Sequence, residues 1–325
     1  MQATVVTFHT PGGPEVLRPE TVEIAAPGSG HVLIRHTAIG INYLDTYQRS
    51  GVYPLAMPSG AGNEAAGVVE AVGPGVASFA IGDRVAYAGG APGSYASHRN
   101  YPVEKLLKLP DGVSDEAAAS LMLKGMTVEY LLERCAPVKA GQFALMYAAA
   151  GGVGLAAGQW ARELGIKLIG VAGGPEKCEL AKENGYVAVI DRNREDIVAR
   201  VREITGGNGV PVVYDSIGKA TFETTLKCLY PRGIFVSFGA TSGAPPAVEA
   251  STLQKLGSLY FTRPTLATYC NSRADIDLSS ARLFAMIAKG ALKPNVGMRY
   301  PLADAATAHA DLEAGRTSGS SLLLP

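Results

Sequence analysis

Along the first third of the chain, apolar and polar positions alternate in short runs that break after a few residues. Residues 4–8, 31–38, 66–72 and 84–87 read as strands, and PGGP, PGSG, GPG and GGAPG between them read as turns. This texture suits a small, mostly β barrel better than a layered α/β unit. After Leu109-Pro110-Asp111-Gly112 it changes. Ser114 caps the run DEAAASLMLKGMTVEYLLERC, whose composition predicts a long helix. From Gln142 onward strand-like runs (142–148, 167–172, 186–190, 212–215, 233–238) alternate with helix-like runs (155–164, 176–184, 194–205, 222–229). Such alternation predicts an α/β fold with a doubly wound parallel sheet and right-handed crossovers. Beyond Arg263-Pro264 the repeat stops. One clear helix, 279–289, precedes the closing SSLLLP, and a tail outside the repeat is expected to return to the first domain.

The segment FALMYAAAGGVGLAAGQWAR (143–162) runs an apolar strand into a glycine-rich turn and the turn into a helix. Glycines let a backbone approach a pyrophosphate closely, and the free N–H groups of a helix start favour an anion. Ala150, Gly151, Gly152, Val153 and Gly154 are therefore candidate cofactor-binding residues, with Ala149 standing where G-x-G-x-x-G has its first glycine. A glycine-rich βα turn is also an ordinary tight connection, but the further strand–helix units behind it favour a dinucleotide. NAD enzymes usually place an acid about 20 residues beyond the turn. Here Gly173-Gly174-Pro175-Glu176-Lys177 follows the second strand, and Arg192 follows the third. Two cations with no competing carboxylate suit a 2′-phosphate, hence NADP(H).

Composition narrows the class. Of 325 residues 47% are apolar and 18% charged, which fits a globular chain long enough for about two domains. Lys+Arg and Asp+Glu both number 29, and a zero balance without a basic run argues against nucleic-acid binding. Cys135, Cys178, Cys228 and Cys270 form no CxxC or Cys/His cluster, so neither a disulfide framework nor a structural zinc is expected. The N-terminal MQATVVTFHTPGG has no signal-peptide pattern, and the uncharged stretch 143–158 is too short and glycine-rich to span a bilayer. A soluble, cytoplasmic protein is expected.

Further motifs carry a resemblance. Ile41-Asn42-Tyr43-Leu44-Asp45-Thr46-Tyr47, Gly62-Asn63-Glu64, Gly82-Asp83-Arg84-Val85, the AAAGGVG turn and Tyr214-Asp215-Ser216-Ile217-Gly218 together resemble the medium-chain dehydrogenase/reductase superfamily, and within it the zinc-independent NADPH:quinone oxidoreductases of the zeta-crystallin-like branch. The resemblance implies a GroES-like catalytic domain at 1–122, completed by 266–325, and a Rossmann NADP-binding domain at 123–265. The zinc enzymes of the superfamily carry a Cys and a His where this chain has Asn42 and Asn63, so zinc catalysis is not expected. Asn42 and Tyr47 are the candidate catalytic residues, an amide and a phenol able to hydrogen-bond a developing oxyanion; Tyr47 and Tyr53 can equally serve as apolar walls. By the same resemblance Asn42, Thr127, Ser216, Phe238, Gly239, Ala240, Phe261, Arg263 and Arg316 join the cofactor-binding set. No histidine falls in a triad. The implied activity is quinone reduction by electron or hydride transfer from nicotinamide C4. The scaffold also hosts enoyl and alkenal reductases, and zeta-crystallin relatives include lens proteins and AU-rich RNA binders. The apolar run 258–261 is a candidate edge strand for a homodimer, or a tetramer built on it.

Overall fold

The computed structural model describes all 325 residues, which divide into two units. The first comprises Met1–Lys124, Asn271–Ala288 and Pro294–Pro325; the second comprises Gly125–Cys270 with Lys289–Lys293.

In the first unit the chain forms β1 (Gln2–Phe8), β2 (Arg18–Glu23), β3 (His31–Ile41), α1 (Tyr43–Arg49), β4 (Ser59–Gly60), β5 (Glu64–Val72), β6 (Arg84–Ala88), β7 (His98–Pro102) and β8 (Leu107–Lys108). Helix α2 (Asp115–Glu129) follows and widens into a π-helical turn at Tyr130–Cys135. The long β3 organises this unit, pairing antiparallel with β5 and with β7. Its apolar residues Val32, Ile34, Ile39 and Ile41 enter one core with Phe8, Val69, Val85, Tyr87 and Tyr101.

The second unit follows the predicted alternation: β9 (Phe143–Tyr147), α3 (Gly152–Glu163), β10 (Lys167–Ala172), α4 (Pro175–Glu183), β11 (Ala188–Asp191), α5 (Ile197–Ile204), β12 (Val210–Asp215), α6 (Phe222–Cys228), β13 (Leu229–Ser237), α7 (Ala250–Lys255), β14 (Tyr260–Thr262) and α8 (Leu266–Tyr269). Its six strands are parallel in the order β11-β10-β9-β12-β13-β14. This is the doubly wound Rossmann order, which reverses direction between β9 and β12. Central strand β9 is buried along four of its five residues, as a strand covered on both faces must be. Strand β14 pairs with β13 alone and ends the sheet, leaving Tyr260 62% exposed.

The remaining chain adds α9 (Arg273–Ala288), β15 (Val296–Pro301), α10 (Ala305–Glu313) and β16 (Ser320–Leu324) to the first unit. Strand β16 lies between β15, to which it is parallel, and β3, to which it is antiparallel. This part of the tail thus holds a long helix, α9, and a short one, α10, where the sequence pattern announces one. Helix α10 (AATAHADLE) is built mostly of small residues, so no apolar stripe marks it in advance. No helix is long and apolar enough to cross a membrane.

Candidate active site

In the second unit the candidate cofactor residues gather at the carboxyl ends of the parallel strands, where this fold binds ligands. After β9 the chain turns through Ala148, which is held at φ 53°, and Gly151 N–H donates to Ala148 O at 2.9 Å. Gly151 then starts α3 without any side-chain cap, so the first helical amides, those of Gly152, Val153 and Gly154, have no intrahelical acceptor. Gly154 presses on the turn: a Cβ there would meet the carbonyl oxygens of Ala148 and Ala149, the latter at 2.6 Å. Ala149 takes the first-glycine position without penalty, since it is fully buried and its N–H is bonded to Val171 O at 3.0 Å. A bare helix start behind a turn with no room for side chains fits a pyrophosphate.

The neighbouring turn, Gly173-Gly174, starts α4 with Gly174 at φ 87°. Arg192 reaches across it, its Nε 3.0 Å from where a Cβ on Gly173 would stand, and Lys177 lies in the first turn of α4. The expectation of no competing carboxylate needs correction here. Asp191, at the tip of β11, accepts from Gly174 N–H at 2.9 Å and Asn193 N–H at 3.0 Å. These backbone donors, Gly174 first, hold its carboxyl below the usual range. The sequence rule looks for an acid after the second strand, whereas this one arrives from the third.

Ser216 and the 238–240 loop meet directly. Phe238 N–H donates to Asp215 O at 2.8 Å, and a Cβ on Gly239 would stand 2.6 Å from Ser216 O. Arg263 donates to Ser237 O at 2.8 Å, bringing it to the same strand ends. Asp215 is quoted in the sequence reading only as part of a motif, with no role of its own. Fully buried, it accepts from Ile217 N–H (2.6 Å), Gly218 N–H (3.1 Å), Thr221 Oγ1 (2.6 Å) and Thr225 Oγ1 (2.8 Å), fixing the turn that carries Ser216. Phe261 is not presented in the same way: its ring packs edge-on against Phe235 (centroids 5.1 Å apart) in the core of the sheet. Thr127 is buried on the last turn of α2.

In the first unit Asn42 leaves β3 and starts α1, its N–H donating to Asp45 Oδ2 at 2.8 Å. Its side-chain Nδ2 donates to Glu64 Oε1 at 2.8 Å. Asn63 Nδ2 donates to Asp45 Oδ1 and to Gln48 Oε1, both at 2.6 Å. Tyr95 Oη also donates to Asp45, at 2.9 Å. Burial pushes the Asp45 carboxyl up to about 6, against these hydrogen bonds. On the same helix Tyr43, Tyr47 and the following Tyr53 form a row, with ring centroids 5.7 and 5.4 Å apart. Arg316 is ion-paired with Asp311 at 2.6 Å.

The family model for the alcohol dehydrogenase GroES-like domain matches residues 28–111, and that for the zinc-binding dehydrogenase matches residues 152–276. A quinone oxidoreductase of Pseudomonas aeruginosa is 48% identical over 98% of this chain and 99% of its own. The crystal structure of Escherichia coli quinone oxidoreductase complexed with NADPH superimposes with a TM-score of 0.97 at 48% identity, covering 99% of this chain and all of that one. The chain belongs to the quinone oxidoreductases of the medium-chain dehydrogenase/reductase superfamily. A 2-haloacrylate reductase from Burkholderia sp is 45% identical over 98% of both chains.

Within that family the two asparagines at the metal-ligand positions have a defined use here. Both side-chain amides donate to buried carboxylates, Asn42 to Glu64 and Asn63 to Asp45. No group of three or more His, Cys, Asp or Glu side chains is placed to hold a metal ion. The buried histidines serve the scaffold. His36 Nδ1–H donates to Ala96 O at 2.7 Å, and His309 accepts from Arg49 at Nδ1 (3.2 Å) and contacts Tyr95 Oη through Nε2 (2.9 Å).

Proposed function

We propose that the protein is a cytoplasmic, zinc-independent NADPH:quinone oxidoreductase. The observation that carries this is the pair of glycine turns after β9 and β10. The first has uncapped helix amides suited to a pyrophosphate, and the second carries Lys177 on its helix with Arg192 reaching across it, two cations suited to a 2′-phosphate. When bound, NADPH supplies the hydride at nicotinamide C4. The overall change adds that hydride and one solvent proton to the quinone, giving the hydroquinone and NADP⁺. Asn42 and Tyr47 are the donors for the oxygen that gains charge as the hydride arrives. Tyr43, Tyr47 and Tyr53 give a flat acceptor an aromatic wall, which confers orientation at little cost in mobility. Cytoplasmic residence is supported by four cysteines that form no disulfide. The free edge of β14, with Tyr260 outward, supports a homodimer formed by strand pairing across a two-fold axis.

The 45% identity to a 2-haloacrylate reductase supports a second reading, hydride transfer to an activated C=C bond. One panel separates the two. NADPH oxidation is measured with ortho- and para-quinones, 2-haloacrylate, enals, enoyl-CoA, saturated alcohols and ketones. Quinones are expected to lead, saturated alcohols and ketones to be inert, and chelators to leave the rate intact. An unsaturated acid or thioester with tenfold higher kcat/KM than every quinone overturns the primary reading.

A further inference from the structure

Glu64 and Lys124 are almost fully buried, at 0% and 5% exposure, and the chemistry proposed above uses neither. Glu64 leaves the start of β5 with both carboxylate oxygens directed at donors. Its Oε1 accepts from Asn42 Nδ2 and from Lys124 Nζ, both at 2.8 Å. Its Oε2 accepts from the backbone N–H of Leu123, inside α2, at 2.7 Å. Gly40 makes room for it, because a Cβ there would collide with Glu64 Oε1 and Ala119 O. A carboxylate has lone pairs and no proton, so only the nitrogen end of the Asn42 amide can face it. Lys124 keeps that condition in force. Without a counter-charge a buried carboxylate takes up a proton, becomes a donor and accepts the flipped amide as readily.

We propose that Glu64 and Lys124 are a positioning pair that fixes which way round the Asn42 amide lies, holding one of its N–H groups and leaving the other for the reacting groups. The pair touches neither cofactor nor quinone; it acts through Asn42, and so rests on the reading of Asn42 as an oxyanion donor. A buried ion pair contributes little net stability compared with apolar residues of similar size, which leaves specificity of arrangement as its use.

Glu64→Gln tests this, since Gln keeps the shape but can offer either end of its amide to Asn42. Steady-state kinetics with NADPH and a quinone are run alongside NADPH fluorescence titration and thermal melts. In Glu64→Gln kcat is expected to fall tenfold or more, with KM for quinone and Kd for NADPH within twofold of wild type. In an Asn42→Ala background, adding Glu64→Gln should change kcat by less than twofold. Lys124→Met should behave like Glu64→Gln, and Lys124→Arg should recover at least half of the lost kcat. If Glu64→Gln fails to fold, the two Lys124 variants decide the matter. Wild-type kcat in Glu64→Gln or Lys124→Met, with Asn42→Ala impaired, overturns the positioning role alone. Wild-type kcat in Asn42→Ala overturns it together with the catalytic reading of Asn42, and wild-type protein inert toward every quinone overturns the functional reading itself.

Discussion

At Gly173-Gly174 the proposed choice of cofactor rests on two cations and one carboxylate. Asp191 accepts from the backbone N–H groups of Gly174 and Asn193, while Lys177 and Arg192 are the cations proposed to meet a 2′-phosphate. A charge-assisted hydrogen bond contributes about 1.5–3 kcal/mol, and partial exposure lowers that figure. Lys177→Ala is therefore expected to raise Kd for NADPH about tenfold, at ~1.4 kcal/mol per decade, and to leave Kd for NADH within twofold. Titrations of both cofactors at low and high salt check this, with the gap closing as salt rises. Equal wild-type affinity for the two cofactors would refute the role of the cations. The glycines and cations here are legible in the sequence because turn chemistry is local. The roles of Asp191 and Glu64 are not, because each acts on a segment that only folding brings to it.

The connection from β9 to α3 behaves as one piece, with strand end, turn and helix start sharing the contacts around Gly154. Any side chain at that position must push the helix off the carbonyls of Ala148 and Ala149. Gly154→Ala is expected to cost about 1–3 kcal/mol, the usual range for overpacking. A thermal melt should show Tm lowered by several degrees, and NADPH titration a weaker Kd, because the amides that face the anion move with the helix. An unchanged Tm and Kd would mean that the turn relaxes freely. The parallel strands of the second unit are readable in advance because each is a continuous apolar run. Helices α1, α7, α8 and α10 are not, since all are short and none carries a wide apolar stripe.

Across the whole molecule, buried titratable groups set the response to acid. Burial holds His36 and His309 at about 3, against 6.5 when unfolded. Below pH 6.5 the unfolded chain gains protons that the folded chain refuses, so each histidine removes about 1.4 kcal/mol of stability per pH unit. Asp45, raised to about 6 from 3.8, has the opposite sign between those two values and offsets one histidine there. Calorimetry from pH 7.5 to 4.5 should show Tm falling as pH drops below 6.5, with a shallower fall below 6. His309→Gln should flatten the slope, and a Tm independent of pH would contradict the assignment. Assembly is tested at the same scale. Tyr260→Lys on the edge strand β14 should convert the proposed dimer to monomer in light scattering, and a wild-type monomer would exclude that pairing.

The position of β16 between β15 and β3 has a consequence for how the chain is made. Residues 125–270 leave the ribosome as one uninterrupted piece, whereas β3 waits for a neighbour encoded at 320–324. At ~5–20 residues per second, the about fifty residues between them take several seconds to translate. Throughout that interval the nascent first unit holds an open, hydrogen-bond-hungry edge on β3, while the second has all its strands in hand. A chaperone that shields strand edges would find its target there.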